Sequence, residues 1–399
     1  MHARILVLNT GSSSVKFSLY DPAADGLLLK GSIDRLGLPG TLLLLQRFYA
    51  APDGLGETLE ETPTHLKDVR HALPYILDLL LKERALRSLK DVAGIGHRVV
   101  HGAEKYTAAT IITPAVLADI ESLSAIAPLH NPYNLQGIRR CQELLPRVPN
   151  VAVFDTAFHQ TIEPKTFLYG LPAEYYEKHG IRKYGFHGTN HKYCSLRAAE
   201  ILGRMPSRLV TCHLGNGSSI TAIKDGKSVD TSMGFTPTQG LIMGTRAGVL
   251  DPEVVLWLAK HFRSIERTEE FLNKECGLKA IAGTSDMREI WKAVNEGDGR
   301  AKLALEMLTA RIIHYVGAYA ATLGGLDCLV FSGGMGENAW YLREEVCASL
   351  RHLGVKLDEE KNLENAETIS APDSKVKVLV LKANEELQIG REAKALLHL

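Results

Sequence analysis

Three segments rich in glycine and serine could hold phosphate: residues 11–14 (GSSS), 213–219 (HLGNGSS) and 332–338 (SGGMGEN). Backbone N–H groups converge on an anion where no Cβ blocks the approach, and such loops provide that geometry. Each segment follows an apolar run that reads as a strand, so each loop falls at a strand end, where α/β proteins build ligand sites. Phosphoryl transfer also needs cations around the moving group, a divalent metal and close positioning. Three arginines stand among glycines and apolar residues rather than in charged helices: Arg98 in GIGHRVVHG, Arg246 in GLIMGTRAGVLDP and Arg288 in GTSDMRE. Each suits an anion, or a structural ion pair. Asp155 closes the apolar run VAVFD, the usual place for a functional carboxylate in an α/β fold. Glu385 and Glu386 follow VKVLVLKAN. They either ligate Mg2+ or open a helix, whose first turn favours acids. Histidines recur at 97, 101, 130, 159, 187, 191 and 213. His187 and His191 have the i, i+4 spacing of zinc ligands on a helix. The HExxH glutamate is missing, and Gly-Thr-Asn between them reads as irregular chain, so capped or core histidines are the simpler account.

The elements that would carry these residues alternate between strand-like and helix-like patterns, which argues for an α/β architecture. Residues 5–8 and 15–20 read as a hairpin. Over 66–80 the apolar positions 66, 69, 73, 76, 77 and 80 mark one helix face, with Pro74 as a kink or boundary. Further strands are expected at 151–154, 209–212, 328–331 and 376–381. The stretch 303–323 is helical in period but apolar nearly all round, so it belongs between domains, at a subunit interface or in a core. A repeat is also visible. ILVLNTGSSSVKFSLYD from residue 5 and LVTCHLGNGSSITAIKDG from residue 209 share strand, Gly-Ser-Ser turn, strand and Asp. One recurrence at half the chain length suggests two domains of one type, against the alternative of two unrelated hairpins with common turn residues.

Composition bounds the class. The 399 residues carry 46 Lys plus Arg against 46 Asp plus Glu, with 45% hydrophobic and 23% charged residues. That balance argues against nucleic acid or an anionic membrane as partner, since both need a basic footprint. No run reaches the roughly 20 apolar residues of a membrane span. The apolar core at 5–8 is too short for a signal peptide. Six scattered cysteines without a CxxC pair suggest reduced thiols and a cytoplasmic protein. The P-loop signature is absent. GMGENA at 334–339 fits GxGxxA, so a dinucleotide fold is a rival. The acid expected about 20 residues on would have to end a strand, and 358–361 reads as a polar helix start or loop.

LNTGSSSVKFSLY, GHRVVHG, PLHNPYN, FDTAFH, YGFHGTNH, HLGNGSS, TSMGFTP, MGTRAG, GGMGENA and ANEEL occur in this order. Together they closely resemble the acetate, propionate and butyrate kinase family, from residue 5 to about residue 390. The resemblance implies two similar α/β domains of the actin, hexokinase and sugar-kinase (ribonuclease H-like) type, hinged around a nucleotide cleft. Residues 1–155 would form the N-terminal domain, with a C-terminal helix over 387–399 returning to it. Residues 156–386 would form the nucleotide-binding and dimerisation domain of a homodimer.

The implied reaction is reversible: ATP and acetate give acetyl phosphate and ADP. By the same resemblance, Asn9 and Glu385 match the Mg2+ site, with Mn2+ an alternative ion. Lys16 and the loop His213, Leu214, Gly215, Asn216 and Gly217 match the nucleotide-phosphate contacts. Asp286, Met287 and Arg288, with Gly334, Met335, Gly336, Glu337 and Asn338, match the segments around the rest of ATP. Arg98 matches the carboxylate-binding arginine and Asp155 the active-site carboxylate. His187 and Arg246 match the groups that stabilise the transition state. Val100, Leu129, Phe186 and Pro237 match the apolar pocket for the methyl group. Members usually carry Glu in place of Gln239 and Asp in place of Val249, and a longer form of IAGTSDMRE. Rival readings are a propionate or longer-chain acyl kinase, and a non-catalytic actin-like ATP-binding protein.

Overall fold

A computed structural model describes residues 3–48, 55–62, 66–128 and 130–399. The chain divides into two units, Met1–Ala157 with Asn384–Leu399, and Phe158–Ala383.

The first unit is built on an eight-stranded sheet. Its strands are β1 (Arg4–Thr10), β2 (Ser14–Asp21), β3 (Gly26–Asp34), β4 (Leu42–Phe48), β5 (Leu55–Glu61), β6 (Val92–Val99), β7 (Thr110–Ile111) and β8 (Asn150–Phe154), in the order β5-β4-β3-β2-β1-β6-β8-β7. Alternate residues of β1 serve opposite faces, as the two-residue period of a strand requires. Leu6 and Leu8 join Ile76, Leu80 and Cys141 from the helices Val69–Lys82 and Asn131–Leu144. Ile5 and Val7 join Val151, Ile389 and Ala393 on the other face, under the helix Glu385–Leu397. Both faces are covered, which is why β1 reads as a continuous apolar run.

Pro74 lies inside the helix Val69–Lys82 and does not end it. A proline removes the N–H that would bond the carbonyl four residues back. That carbonyl, of Arg70, instead accepts from Arg140 Nε at 3.3 Å.

The second unit holds β9 (Arg208–Leu214), β10 (Ser218–Lys224), β11 (Lys227–Thr231), β12 (Cys328–Ser332) and β13 (Lys377–Val380), in the order β11-β10-β9-β12-β13. The two sheets share one plan. In both, the second strand pairs antiparallel with the first and the third. The first strand also pairs parallel with a later one, β1 with β6 and β9 with β12, which in turn pairs parallel with another, β6 with β8 and β12 with β13. The repeated strand–turn–strand sequence thus opens two copies of one topology, to which the first unit adds β4 and β5 at one edge and β7 at the other.

The apolar stretch at 303–323 falls in the helix Gly299–Leu323, which is a core helix of the second unit. Leu308, Ile312, Val316 and Tyr319 pack with Val210, Cys212 and Phe331, while Leu303 and Met307 remain exposed. Across the sheet, Cys194 and Ala198 of the helix Gly188–Leu202 meet Leu209, Val330 and Leu379. That helix corrects the expectation of irregular chain between His187 and His191. Gly188 and Asn190 occupy its first turn, where N–H groups lack intrahelical partners and weak helix formers are tolerated. All six cysteines are free thiols. Among the described residues no helix is long and apolar enough to cross a membrane.

The C-terminal helix sits close on the first sheet because glycines face it. A Cβ at Gly96 would lie 2.7 Å from Ile389 Cγ2, and one at Gly94 2.3 Å from Leu397 Cδ1. Gly96→Val should therefore lower stability by roughly 1–3 kcal/mol through overpacking. The urea midpoint checks this, and an unchanged midpoint would show that the helix is not pinned there.

Candidate active site

Each unit gathers its own set of reactive side chains. In the first, β6 and β8 run parallel with Arg98 opposite Val153, which brings Arg98 beside Asp155, the residue just beyond β8. Arg98 Nη2 lies 2.5 Å from Asp155 Oδ2, and Nε donates to both carboxylate oxygens at 3.1 Å. Asp155 is fully buried, and its N–H donates to Val99 O at 2.9 Å. Such a forked, charge-assisted pair fixes the guanidinium plane. Its Nη1 reaches Asn9 Oδ1 at 3.4 Å, and Nε stands 3.8 Å from Glu385 Oε2. Asn384 caps the helix that begins at Glu385, accepting from the Leu387 N–H at 3.2 Å.

Acids and cations alternate in this cluster, with Lys16 and Lys30 beside Arg98 among the cations. Burial raises the Glu385 pKa above its ordinary value. Arg98 opposes that rise, while Asp155 and Glu386 add to it. Burial alone would weaken the charge on Arg98, but Asp155 and Glu385 outweigh it and hold its pKa above the ordinary value. Glu386 stays ionised despite burial because Lys30 lies 2.9 Å away.

Two asparagines that sequence reasoning missed brace the loop after Arg98. Asn134 Oδ1 accepts from the Val100 N–H at 3.1 Å, and its Nδ2 donates to Thr10 O at 2.8 Å. Asn131 bonds the His101 N–H and carbonyl at 3.1 Å each. Both lie in the helix Asn131–Leu144, within the motif PLHNPYN. The signal was the pair of asparagines around Pro132, polar residues on a helix that must pack on a sheet.

In the second unit a cleft of about 700 Å³ is lined by Gly215, Asn216, Asp286, Met287, Gly334 and Asn338, among others. Arg288 and Met335 line it too, so the segments at 213–217, 286–288 and 334–338 meet at one cleft, while the phosphate candidate at 11–14 belongs to the first unit. Trp291, Trp340 and Tyr341 also line it and were missed. Trp291 and Tyr341 stack at 3.7 Å between centroids and 4° between planes. Asp286 caps the helix Met287–Asn295 and bonds Arg288, whose guanidinium holds the Asp286 pKa down at about 2. Gly333 has φ +78°, and a Cβ there would lie 2.7 Å from Leu214 O. The next segment, Gly333–Asn338, can therefore turn into a helix against β9. Glu337 faces inward, accepting from the N–H groups of Gly333 and Ala383 at 3.0 and 2.8 Å.

Beside this cleft, His187 and Arg246 converge on Gly217. His187 Nε2 and Arg246 Nη1 each lie 3.5 Å from where a Gly217 Cβ would sit. His187 has φ 58° and ψ 20°, a left-handed conformation that side chains rarely adopt. Burial lowers the Arg246 pKa, and no carboxylate of the described residues pairs with it.

Not all expected residues come together. Lys16, opposite Asn9 on β2, belongs to the first unit, whereas the other phosphate contacts belong to the second. Val100 is buried in the first unit. Phe186 is buried and Pro237 half-buried in the second, and Leu129 lies outside the described residues. Gln239 Oε1 accepts from Tyr169 OH at 2.7 Å, whereas Val249 is exposed.

The Acetokinase family profile matches residues 4–391. The chain belongs to the acetokinase family. It is 48% identical over 396 residues to the acetate kinase of Carboxydothermus hydrogenoformans, covering 98% of each chain. It is 49% identical over 396 residues to that of Desulfitobacterium hafniense, covering 97% of each. Among solved structures it resembles a propionate kinase from Francisella tularensis, with TM-score 0.91, 39% identity and 98% and 99% of the two chains covered. It also resembles the Porphyromonas gingivalis acetate kinase, with TM-score 0.88, 42% identity and 99% and 100% covered.

His97 and His101 flank Arg98 and are buried, which lowers both pKa values to about 4. The folded state therefore binds fewer protons than the unfolded state between about pH 6.5 and 4. Stability is full above about pH 6.5 and falls as pH drops toward 4, by up to roughly 3 kcal/mol per histidine. Urea midpoints at pH 7 and pH 5 check this. His97→Gln should flatten the pH dependence, and an equally steep profile would show that His97 does not cause it.

Proposed function

We propose that this chain transfers the γ-phosphoryl group of ATP reversibly to acetate, giving acetyl phosphate and ADP by direct in-line displacement. It acts as a phosphotransferase with a carboxyl acceptor. A carboxylate oxygen attacks Pγ, the bond from Pγ to the β,γ-bridging oxygen breaks, and ADP leaves with that electron pair. Acetate is already ionised near neutral pH, since carboxyl pKa values lie near 4, so no strong base is needed. What remains is alignment and neutralisation of charge.

The observation that carries this reading is the Arg98 guanidinium, held flat by buried Asp155 with Nη1 still available to a small carboxylate, in a chain of this family. Asp155 orients Arg98 rather than acting as a base. In the second unit, the cleft with Gly215, Asn216, Asp286 and Gly334 takes the nucleotide, while His187 and Arg246 bond the transferred phosphoryl oxygens. Val100, beside Arg98 in the first unit, contacts the methyl group. The strand plan common to both units supports a ribonuclease H-like fold of the actin and hexokinase type.

Asn9 and Glu385 offer oxygen donors that fit Mg2+. Glu385 is a half-buried carboxylate whose charge is opposed by desolvation and by neighbouring acids, a state that a cation relieves. Among the described residues no cluster of three or more His, Cys, Asp or Glu forms a protein cage for a metal. That suits an ion that keeps waters and binds one or two carboxylates plus phosphates. When bound, Mg2+ neutralises charge on the phosphate oxygens.

A homodimer joined through the second unit is part of this proposal. The helix Pro252–Phe262 buries none of its residues, and Leu256, Trp257 and nearby Ile265 are 50%, 61% and 76% exposed. The free thiols support a cytoplasmic setting.

Arg98→Ala and Arg246→Ala should each lower kcat by about 10²-fold or more, as loss of such donors does. Turnover near wild type in either would remove its assigned role. Among acetate, propionate and butyrate, kcat/KM should be highest for acetate, since Val100 narrows the pocket. One methylene is worth only about 1–3 kcal/mol, so propionate should still react. A higher value for propionate would move the chain to the neighbouring substrate class.

A further inference from the structure

Behind His187 runs a line of buried polar groups that the reaction as described does not use. His187 Nδ1 lies 2.9 Å from Ser219 Oγ. The same hydroxyl lies 2.7 Å from His191 Nε2, and His191 Nδ1 lies 2.7 Å from Thr211 Oγ1. Thr211, His191 and Ser219 are all at most 1% exposed. Were both imidazoles to donate to Ser219, its buried hydroxyl would be a donor with no acceptor, so the protons run in one of two directions along the line. If His187 Nδ1 carried the proton, Ser219 would donate to His191 and His191 to Thr211. The Thr211 hydroxyl would then be a buried donor with no acceptor, since His191 is its side-chain partner. In the opposite direction Thr211 donates to His191 Nδ1, His191 Nε2–H donates to Ser219, and Ser219 donates to His187 Nδ1. Only an oxygen lone pair on Thr211 is left unused, which costs less than an orphaned donor.

His213 repeats the pattern. Its Nδ1 faces Asn190 Nδ2 at 2.8 Å, and that amide also donates to Ser332 Oγ at 3.2 Å. Turning the amide over would orphan its two N–H groups, whereas the observed orientation leaves only Oδ1 without a partner. The amide thus donates, and His213 Nδ1 accepts. The His187 and His213 rings are 4.3 Å apart, too close for both to carry charge comfortably. Their Nε2 atoms lie 3.5 and 3.9 Å from where Cβ atoms of Gly217 and Gly215 would sit, so both face the same turn.

We propose that Thr211, His191 and Ser219 form a one-way hydrogen-bond relay that holds His187 as a neutral imidazole with its proton on Nε2, while Asn190 does the same for His213. His191, Ser219 and Asn190 are positioning residues. His187 then donates one hydrogen bond to a phosphoryl oxygen without titrating, and Arg246 supplies the permanent charge. The charged and titratable groups around His187 in its unit are Arg246 across Gly217, His213 beside it, His191 behind Ser219, and His159 beyond His191. His159 Nε2–H donates to Phe186 O at 3.0 Å, and its Nδ1 lies 2.9 Å from Ser228 Oγ. Burial holds the His191 pKa well below its ordinary value, and a charge on His159 or His213 would push it lower still, so the relay cannot reverse by taking up a proton. The left-handed backbone of His187 is the conformation this anchoring maintains.

The inference rests on the reading of His187 as a phosphoryl donor, but the ring-nitrogen measurement does not. In full-length protein labelled with ¹⁵N-histidine, two-bond ¹H–¹⁵N correlations at about pH 7 should show Nδ1 bare and Nε2 protonated in His187 and His213. A protonated Nδ1 on His187, or an imidazolium there, overturns the relay. Ser219→Ala should mix the His187 tautomers and lower kcat about tenfold, the worth of one lost hydrogen bond. Ser219→Thr, which keeps the hydroxyl, should restore both. Wild-type kcat should not decline as pH rises through about 6.5, the ordinary histidine value. If Ser219→Ala fails to fold, Thr211→Val reads the same tautomer shift from the far end. An unchanged nitrogen pattern in these variants overturns the relay. A changed pattern with undiminished kcat keeps the relay and overturns the role of His187.

Discussion

The buried carboxylate of Asp155, the half-buried one of Glu385 and the guanidinium of Arg98 set the terms for the first unit. Arg98 satisfies Asp155 through a forked pair, and Glu385 is left in the same cluster with its charge opposed by burial. Removing charges from water is expensive, and the pKa of Glu385 stays above its ordinary value even with Arg98 and Lys16 opposing the rise. The cluster's position follows from the backbone: parallel β6 and β8 end side by side, and the C-terminal helix delivers Glu385 because Gly94 and Gly96 let it lie on the sheet.

The second unit solves a different problem with the same strand plan. There the loop after β9 and the turn after β12 both leave the sheet at strand ends, and the N-terminus of Met287–Asn295 joins them around one cleft. The donors there are backbone amides, imidazoles and the half-buried Arg246, which has no carboxylate partner among the described residues. The two units thus differ: buried and half-buried acids around Arg98 in one, glycine-rich turns with imidazoles and Arg246 in the other.

Much of this was legible in the residues. The strands 5–8, 151–154, 209–212 and 328–331 fall inside β1, β8, β9 and β12 because buried strands leave continuous apolar runs. The glycine-rich loops showed themselves by composition, and the half-length repeat foretold the shared topology. Other features could not be read this way. Asn134 and Val100, or Thr211 and His191, are partners across distant stretches of chain, and no local pattern marks a hydrogen bond of that kind. The helix after His187 was missed because Gly188 and Asn190 weaken its first turn, and its stability comes from Cys194 and Ala198 packing on the sheet. Pro74, read as a kink or a boundary, is no boundary, and the group that takes up the freed carbonyl, Arg140, lies on another helix where no local pattern reveals it.

The central claim is that a small carboxylate is the acceptor of a phosphoryl group from ATP. The most direct measurement incubates the purified chain with ATP, Mg2+, acetate and hydroxylamine, and follows acetohydroxamate together with ADP. The account predicts hydroxamate in step with ADP, and none without acetate. ATP binding without hydroxamate, or ADP release indifferent to acetate, would contradict it.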